Sequence, residues 1–532
     1  MKKYLILILL SCVCFLNAQQ IEQWARFETS FQYNYKGNSY SDIRLSATFK
    51  NKDTTYTVSG FYDGDNTFKV RFMPPKTGLW QFQTHSNVSS LNNKKGSFEC
   101  VPSTANNHGI VRVSDVYNFK YADGKQYYPF GTTAYAWVHM HNDVQELTLK
   151  SLKESGFNKV RMCIFPKDYN LVKEEPEIYP FVIKGVKKDD KGKEIKISDF
   201  TQFNPEFFQH LEKRIDDLSQ LGIEADLILF HPYDKGRWGY DAMPEEVNIR
   251  YLKYVIARLA SFRNVWWSMA NELDLIKAKT YADWEQLSKT VFENDPYRHL
   301  CSIHGTTAKY YPYWEKWFTH TSIQDEAPVA DFGRAAILRN AYYKPIIYDE
   351  VCYEGNLPKR WGRLSGEEMT HEVWQGVIAG TYVTHGEAFM YRDEKDTIYW
   401  AKGGIFKGQS WKRIAFLRSI VENTPGPFEL ADVSRDNKTS TNGKGTYLVY
   451  FGKEIVDVWL FNLPAKNAGF ERLKSGTKFK IEIIDTWDMT ITDCSQKFET
   501  DEENDYRLLD KKLGKIRLPA KPYIALRITE IK

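Results

Sequence analysis

Hydrophobic and polar positions follow three successive rhythms along the 532-residue chain. From Gln20 to about residue 102, apolar side chains recur at every second position in short runs. Ile43, Leu45, Ala47 and Phe49 alternate with polar residues, and runs at 55–61, 68–72 and 78–84 follow. Turn residues such as Asp63-Gly64-Asp65-Asn66 separate them, which predicts a small antiparallel β-sandwich. From about Gly109 to Thr424, short apolar runs alternate with segments of helical period. The candidate strands are 128–131, 159–163, 224–230, 265–269, 300–303, 321–324, 345–350 and 381–389. Helices are predicted at 143–155 (Val144, Leu147, Leu149, Leu152), 205–221 (Phe207, Leu211, Ile215, Leu218) and 247–263 (Ile249, Leu252, Val255, Ile256, Leu259). Another starts at the capping box Ser365-Gly366-Glu367-Glu368 and runs to about Ile378. Eight strands with helices between them over roughly 300 residues predict a (β/α)8 TIM barrel. An open doubly wound sheet is the alternative, but no Gly-rich phosphate loop follows the first strand. The polar stretch 166–200 predicts a long loop on the active-site face, able to wall off one end of a cleft. Beyond about Pro425 strand patterns return at 447–451, 456–460, 479–484 and 523–528, predicting a second β-sandwich.

The N-terminus changes the picture. Lys2 and Lys3 precede a short apolar run from Tyr4 to Leu16, and Leu16-Asn17-Ala18 precedes Gln19. That is the pattern of a cleaved signal peptide and predicts a periplasmic or secreted protein, with a lipoprotein at Cys12 as the rival. No later run approaches the length of a membrane span. The expected division is signal peptide 1–18, N-terminal sandwich 19–105, barrel 106–424 and C-terminal sandwich 425–532. Basic and acidic residues number 72 and 68, for a net charge of +4. No like-charged run points to nucleic acid, and Lys187 to Lys193 mixes both signs. The five cysteines beyond the leader (Cys100, Cys163, Cys301, Cys352, Cys494) are widely spaced without a Cys-x-x-Cys pair, which argues against a disulfide framework or structural zinc. Aromatic residues reach 15%, which fits sugar stacking and equally fits large β-rich cores.

Two candidate strands end in acids. Val265-Trp266-Trp267-Ser268-Met269-Ala270 runs into Asn271-Glu272, and Pro345-Ile346-Ile347-Tyr348 runs into Asp349-Glu350. Barrel enzymes place their chemistry at strand carboxyl ends. Cleaving a glycosidic bond needs one carboxyl protonated for the leaving group and another ionised to attack the anomeric carbon. By strand count the acids end strands four and seven, on opposing sides of one mouth. Asp349 and Glu350 are adjacent, so strand alternation lets only one face the substrate, and either could be the nucleophile on that ground. The alternative to an active site is a pair of structural ion pairs.

These residues resemble clan A of the glycoside hydrolases, in which Asn-Glu ends strand four and Glu ends strand seven. The three-part layout and Tyr348-Asp349-Glu350-Val351-Cys352-Tyr353-Glu354-Gly355 are similar to the apiosidase-like group. The resemblance implies a retaining glycoside hydrolase acting on a poly- or oligosaccharide, with Glu272 as acid/base, Glu350 as nucleophile and Asn271 on the sugar 2-hydroxyl. Arg161 would support the nucleophile. His231, His304, Gln324, His385 and Glu387 follow other strands and are candidate substrate contacts. Trp137, His139, Trp238, Trp361 and Tyr391 are candidate stacking residues in loops, each with a core reading beside it. Arg161, Lys167 and Arg237 could serve an anionic sugar. No cofactor or metal is implied. A metal-dependent hydrolase would need clustered ligands, for which His139-Met140-His141 has the spacing. A non-catalytic carbohydrate-binding surface protein is the remaining alternative.

Overall fold

The computed structural model describes residues 19–531 apart from 170, 173, 189–191, 193, 235, 326–331, 392–397, 432–438, 465–473 and 505–506. The expected signal peptide lies outside the described residues.

Alternating runs in the first hundred residues form two sheets. One holds Gln20–Glu22, Lys95–Val101, Gly78–Ser86, Leu45–Asn51 and Thr54–Ser59; the other holds Phe27–Gln32, Thr67–Phe72 and Phe61–Tyr62. Their inward rings meet face to face, Phe27 on Phe98 at 4.3 Å and Phe49 on Phe72 at 4.2 Å, which makes the expected sandwich. Ion pairs fasten it to the following helices: Arg71 and Arg258 both reach Glu212 at 2.7 Å, and Arg258 reaches Asp63 at 2.7 Å.

The central strands are β1 (Gly131–Thr133), β2 (Lys159–Cys163), β3 (Glu224–Ile228), β4 (Val265–Ser268), β5 (Cys301–Ser302), β6 (Thr321–Gln324), β7 (Ile346–Glu350) and β8 (Tyr382–Val383). β1 to β5 pair in sequence, all parallel, and so do β6 to β8. Single parallel bridges, His304 to Ser322 and Thr132 to His385, link β5 to β6 and β8 back to β1. The central strands are buried along their length, as strands covered by helices must be. The predicted helices form over Asn142–Ser155, Pro205–Gln220, Glu245–Leu259 and Gly366–Ile378. Asn204 caps the second and Ser365 with Glu368 makes the expected capping box of the last. Helices Tyr281–Asn294, Phe332–Tyr342, Tyr399–Lys402 and Ser410–Glu422 follow, and among the described residues no α-helix lies between β5 and β6. A three-stranded antiparallel sheet, Val111–Ser114, Asn118–Tyr121 and Gln126–Tyr127, precedes β1 and packs Phe119 and Tyr127 on Trp266.

Two expectations are corrected. The stretch 166–200 is not only loop: Phe181–Lys188 pairs antiparallel with Glu194–Phe203 in a bulged hairpin. The C-terminal part is not two facing sheets. It is one eight-stranded sheet with a separate pair, Val458–Leu460 and Lys515–Arg517. Its 15-residue strand Thr490–Asn504 pairs with Lys478–Asp485 at one end and Arg507–Asp510 at the other, with a register shift on each side. Bulges bend a strand, so a single sheet curls around Phe451, Phe461, Phe479 and Phe498. Among the described residues no helix is long and apolar enough to cross a membrane.

Candidate active site

β4 and β7 deliver their acids to one cavity. Glu272 and Glu350 line a space of about 340 Å³ together with Gln324, Tyr169, Tyr233, Tyr353, Trp361 and Trp400. Glu272 sits just past β4 with φ 49° and ψ 52°, a left-handed conformation that a side chain disfavours. Its neighbours hold it there: Asn271 N–H donates to Phe230 O at 3.0 Å and Leu273 N–H to His304 O at 2.9 Å. Strain kept this way is a mark of functional positions.

The two acids of β7 take different places. The pairing of β6 with β7 shifts register between Ile323 and Gln324, whose partners are Tyr348 and Glu350. This bulge breaks the simple alternation. Asp349 turns into the core of the strand set, where Lys159 Nζ (2.7 Å), Ser322 Oγ (2.6 Å) and Thr384 Oγ1 (2.8 Å) all donate to it. Lys159 and Arg161 hold that carboxyl far below the usual carboxylate range despite its burial. Glu350, one residue on, reaches the cavity.

Each glutamate carries its own tyrosine. Tyr135 donates to Glu350 Oε1 and accepts from Arg161 Nη1 at 3.4 Å. Tyr233 donates to Glu272 Oε2 and accepts from Asn271 Nδ2 at 2.7 Å. Burial and the adjacent glutamate raise both phenols well above 10, so both stay proton donors. Arg161 is fully buried, 3.3 Å from Ser268 Oγ and Asn271 Oδ1 and 4.0 Å from Glu350. His304 Nδ1 lies 3.1 Å from Ser322 Oγ. The Ser322 hydroxyl donates to Asp349, and His304 Nε2 lies 3.2 Å from Gln324 Oε1. Burial first, and then Arg161, lower His304 to about 4 and keep it neutral. Burial and the charge of Glu350 raise Glu272 to about 7. Two carboxyls in one cavity with unlike surroundings can divide acid and nucleophile between them.

Lys167 is the least expected group. It is 1% exposed, and Nζ has no hydrogen-bond partner among the described residues. The ammonium instead faces the rings of Tyr233 and Trp400 at 4.2 Å and Tyr135 at 4.4 Å. Burial lowers it to about 8, while Glu350 and Glu272 act against that shift.

Residues 114–425 match the family model for the apiosidase-like catalytic domain. The chain belongs to the apiosidase-like family. On either side of that domain, models of two domains of unknown function, DUF5060 and DUF5605, match residues 20–87 and 436–529. A crystal structure of a glycoside hydrolase candidate from Bacteroides vulgatus is 58% identical, covers 96% of this chain and 100% of its own, and has a TM-score of 0.94. A glycoside hydrolase family 5 structure from the same species shares the fold at 14% identity and TM-score 0.57, over 79% of this chain and 94% of its own. No curated protein matches.

The apiosidase-like domain brings only some of the sequence-predicted residues to the cavity. Glu272, Glu350, Gln324 and Trp361 line it; Asn271, Arg161 and His304 stand directly behind. His231 does not line it: its Nε2 bonds Phe165 O at 3.0 Å and its Nδ1 accepts from Tyr233 N–H at 3.2 Å, which fixes the tyrosine loop. Trp137 is fully buried with Nε1 on Met162 Sδ at 3.4 Å, so it packs the core instead of stacking on sugar. Trp238 is buried too, donating to Glu175 Oε1 at 3.0 Å. Tyr391 is exposed and does not line the cavity. His385 and Glu387 lie together elsewhere. His139 is buried against Phe207 while His141 is exposed and bonds Glu177 at 2.7 Å, so the His-x-His spacing builds no metal site. Arg237 pairs with Asp168 and Glu175, and among the described residues no basic side chain lines the cavity. Sequence reasoning missed Tyr135, Tyr169, Tyr233, Tyr353 and Trp400. Their one signal was placement after strand-like runs, which many aromatics here share.

Proposed function

We propose that this apiosidase-like protein is a retaining glycosidase that cleaves O-glycosidic bonds of a poly- or oligosaccharide. Glu350 attacks the anomeric carbon, and Glu272 protonates the departing oxygen and then deprotonates the water that releases the covalent glycosyl-enzyme. The observation that carries the reading is the pair of glutamates in one aromatic-walled cavity, with Glu272 raised to about 7 beside Glu350. Retaining chemistry requires the carboxyls about 5–5.5 Å apart, close enough for direct attack. Asn271, tied to Arg161 and Tyr233, is placed to meet the sugar 2-hydroxyl. The continuous parallel pairing from β1 through β8 and back supports a (β/α)8 barrel, with the site at the strand carboxyl ends. The cavity is at the small end of ligand sites, which favours action at a chain end. The charged and apolar N-terminal pattern supports export to the periplasm or medium.

The test is digestion of a glycan panel, apiosides included, with product anomers followed by NMR from the first minutes. The expected result is initial release of the substrate's own anomer, abolished in Glu272→Gln and Glu350→Gln, with azide restoring turnover to Glu350→Gly as an azide adduct. Inverted product would remove the retaining mechanism. Binding without cleavage across the panel would leave the non-catalytic carbohydrate-binding reading.

A further inference from the structure

A second group of titratable side chains lies outside the cavity and is unused by the proposed chemistry. Glu354 and Glu387 start two short strands that pair in parallel, and His385 follows β8. All three are buried, with His385 and Glu387 at 0% exposure. One carboxylate oxygen from each glutamate and a ring nitrogen of His385 lie within 4.8 Å of one another. Among the described residues this is the one such convergence of histidine and acid groups.

Part of this arrangement has a local explanation. Glu387 accepts from Lys407 N–H (2.6 Å) and Gly408 N–H (2.8 Å). Glu354 accepts from Gln409 N–H (2.7 Å), from Ser410 N–H (3.1 Å) and from the Ser410 hydroxyl. The carboxylates thus cap the start of helix Ser410–Glu422, which has no side-chain cap of its own. Gly408 permits the approach, since a Cβ there would fall 2.4 Å from a Glu354 oxygen. Capping does not use everything. An ionised carboxylate offers about four lone-pair sites, so each glutamate keeps capacity after these bonds. Backbone N–H groups bring only partial positive charge against two buried anions.

The histidine supplies the independent sign. His385 Nδ1 is engaged by Thr132 Oγ1 at 2.9 Å, but the buried Nε2 has no hydrogen-bond partner among the described residues. A ring nitrogen fixed on one side with the other left open is how a metal-binding imidazole is held. Three donor atoms on a shared ion, at bonds of about 2.0–2.2 Å, lie roughly 3.3–3.8 Å apart, so closure by up to about 1 Å completes the set.

We propose that Glu354, His385 and Glu387 bind a divalent transition ion of the Mn²⁺ to Zn²⁺ range. One imidazole and two carboxylates suit such ions, whereas an all-oxygen shell would suit Ca²⁺. The ion staples the segments after β7 and β8 to the start of helix Ser410–Glu422. The role is structural, and it stands whether or not the cavity cleaves sugars.

The test uses the untagged protein, stripped with chelator, re-exposed separately to Mn²⁺, Zn²⁺ and Ca²⁺, desalted and assayed for bound metal and Tm. The expected result is about one Mn²⁺ or Zn²⁺ retained per chain with a raised Tm, and no such effect of Ca²⁺. His385→Asn keeps a partner for Thr132 and deletes Nε2; it is expected to weaken binding about 100-fold, the upper end of what a supporting residue alone would cost. Glu387→Gln is the second arm should the first variant fail to fold, with the same loss expected. Wild-type protein that retains no ion and shows no Tm shift overturns the proposal. So does stoichiometric metal kept by either folded variant.

Discussion

Replacing Lys167 by Met is the sharpest probe of how this site sets its protonation. The ammonium is enclosed by the rings of Tyr135, Tyr233 and Trp400, and the Tyr233 hydroxyl bonds Glu272. Its positive charge therefore stabilises ionised Glu272, and is among the influences that keep that carboxyl from rising above about 7. With roughly 7 Å between the charges through the Tyr233 ring and an effective dielectric near 20, the attraction is about 2 kcal/mol. At 1.36 kcal/mol per pKa unit, that is a rise of roughly one to two units on removing the charge. A higher Glu272 value keeps the general acid protonated to higher pH. The alkaline limb of kcat/KM against pH is therefore expected near 7 in wild type and near 8 or above in Lys167→Met. Met fills the ring cage without a charge and leaves no ammonium buried without hydrogen bonds, so Tm is expected to hold or rise. The assay is the full pH profile on one cleaved substrate, with near-UV circular dichroism to confirm an intact site. An alkaline limb that stays in place, in a variant whose spectrum matches wild type, would show that Lys167 does not act on Glu272 through charge.

Three further outcomes follow from the same contacts. Glu272 is raised on folding, so its contribution is fully present below the unfolded value of 4.5 and is lost as pH rises through about 7; Glu272→Gln is expected to gain Tm over wild type at pH 8 and not at pH 4, measured by scanning calorimetry. Tyr135→Phe removes the hydroxyl that donates to Glu350; a charge-assisted bond of about 1.5–3 kcal/mol predicts a ten- to hundredfold fall in kcat/KM by steady-state assay. Asp349→Asn strands Lys159 and Arg161 with one carboxylate fewer in the buried layer; it is expected to lose about 3–5 kcal/mol in urea unfolding, although Asp349 does not line the cavity.

The alternation of buried strands and amphipathic helices was legible because each element has to hide one face, and periodicity records which face. So was the convergence of Glu272 and Glu350 on one cavity, because each follows an apolar strand that ends on the same side of the strand set. Periodicity says nothing of which strand pairs with which. The C-terminal runs therefore fit two facing sheets as well as the single curled sheet that forms. The hairpin Phe181–Lys188 with Glu194–Phe203 was hidden by its charge: Lys184, Lys187, Lys188 and Glu194 dominate the composition, while Phe181 and Phe203 alone are its fully buried ring anchors. Trp137 and Trp400 look alike in sequence, both in segments between strands, yet one fills the core and the other walls the cavity. That distinction lies in tertiary packing, and a chain with 15% aromatics offers no contrast to reveal it.

The adjacent acids of β7 show where strand alternation alone is an incomplete guide. Strict alternation would have sent Asp349 and Glu350 to opposite faces of the strand. The register shift opposite Ile323 and Gln324 instead lets Asp349 enter the interior layer and Glu350 the cavity above it. A bulge next to a site re-aims a side chain in this way. Its effect is to stack two electrostatic layers. Below, Asp349 and Asp226 lie 2.7 and 3.0 Å from Lys159, with Arg161 3.9 and 3.6 Å from the same two acids. Above, the other end of the same guanidinium reaches Tyr135, Asn271 and the edge of Glu350. Arg161 thus belongs to both layers. Neutralised from below, it can orient the tyrosine and asparagine without drawing Glu350 into a close ion pair, which leaves that carboxylate directed at the cavity.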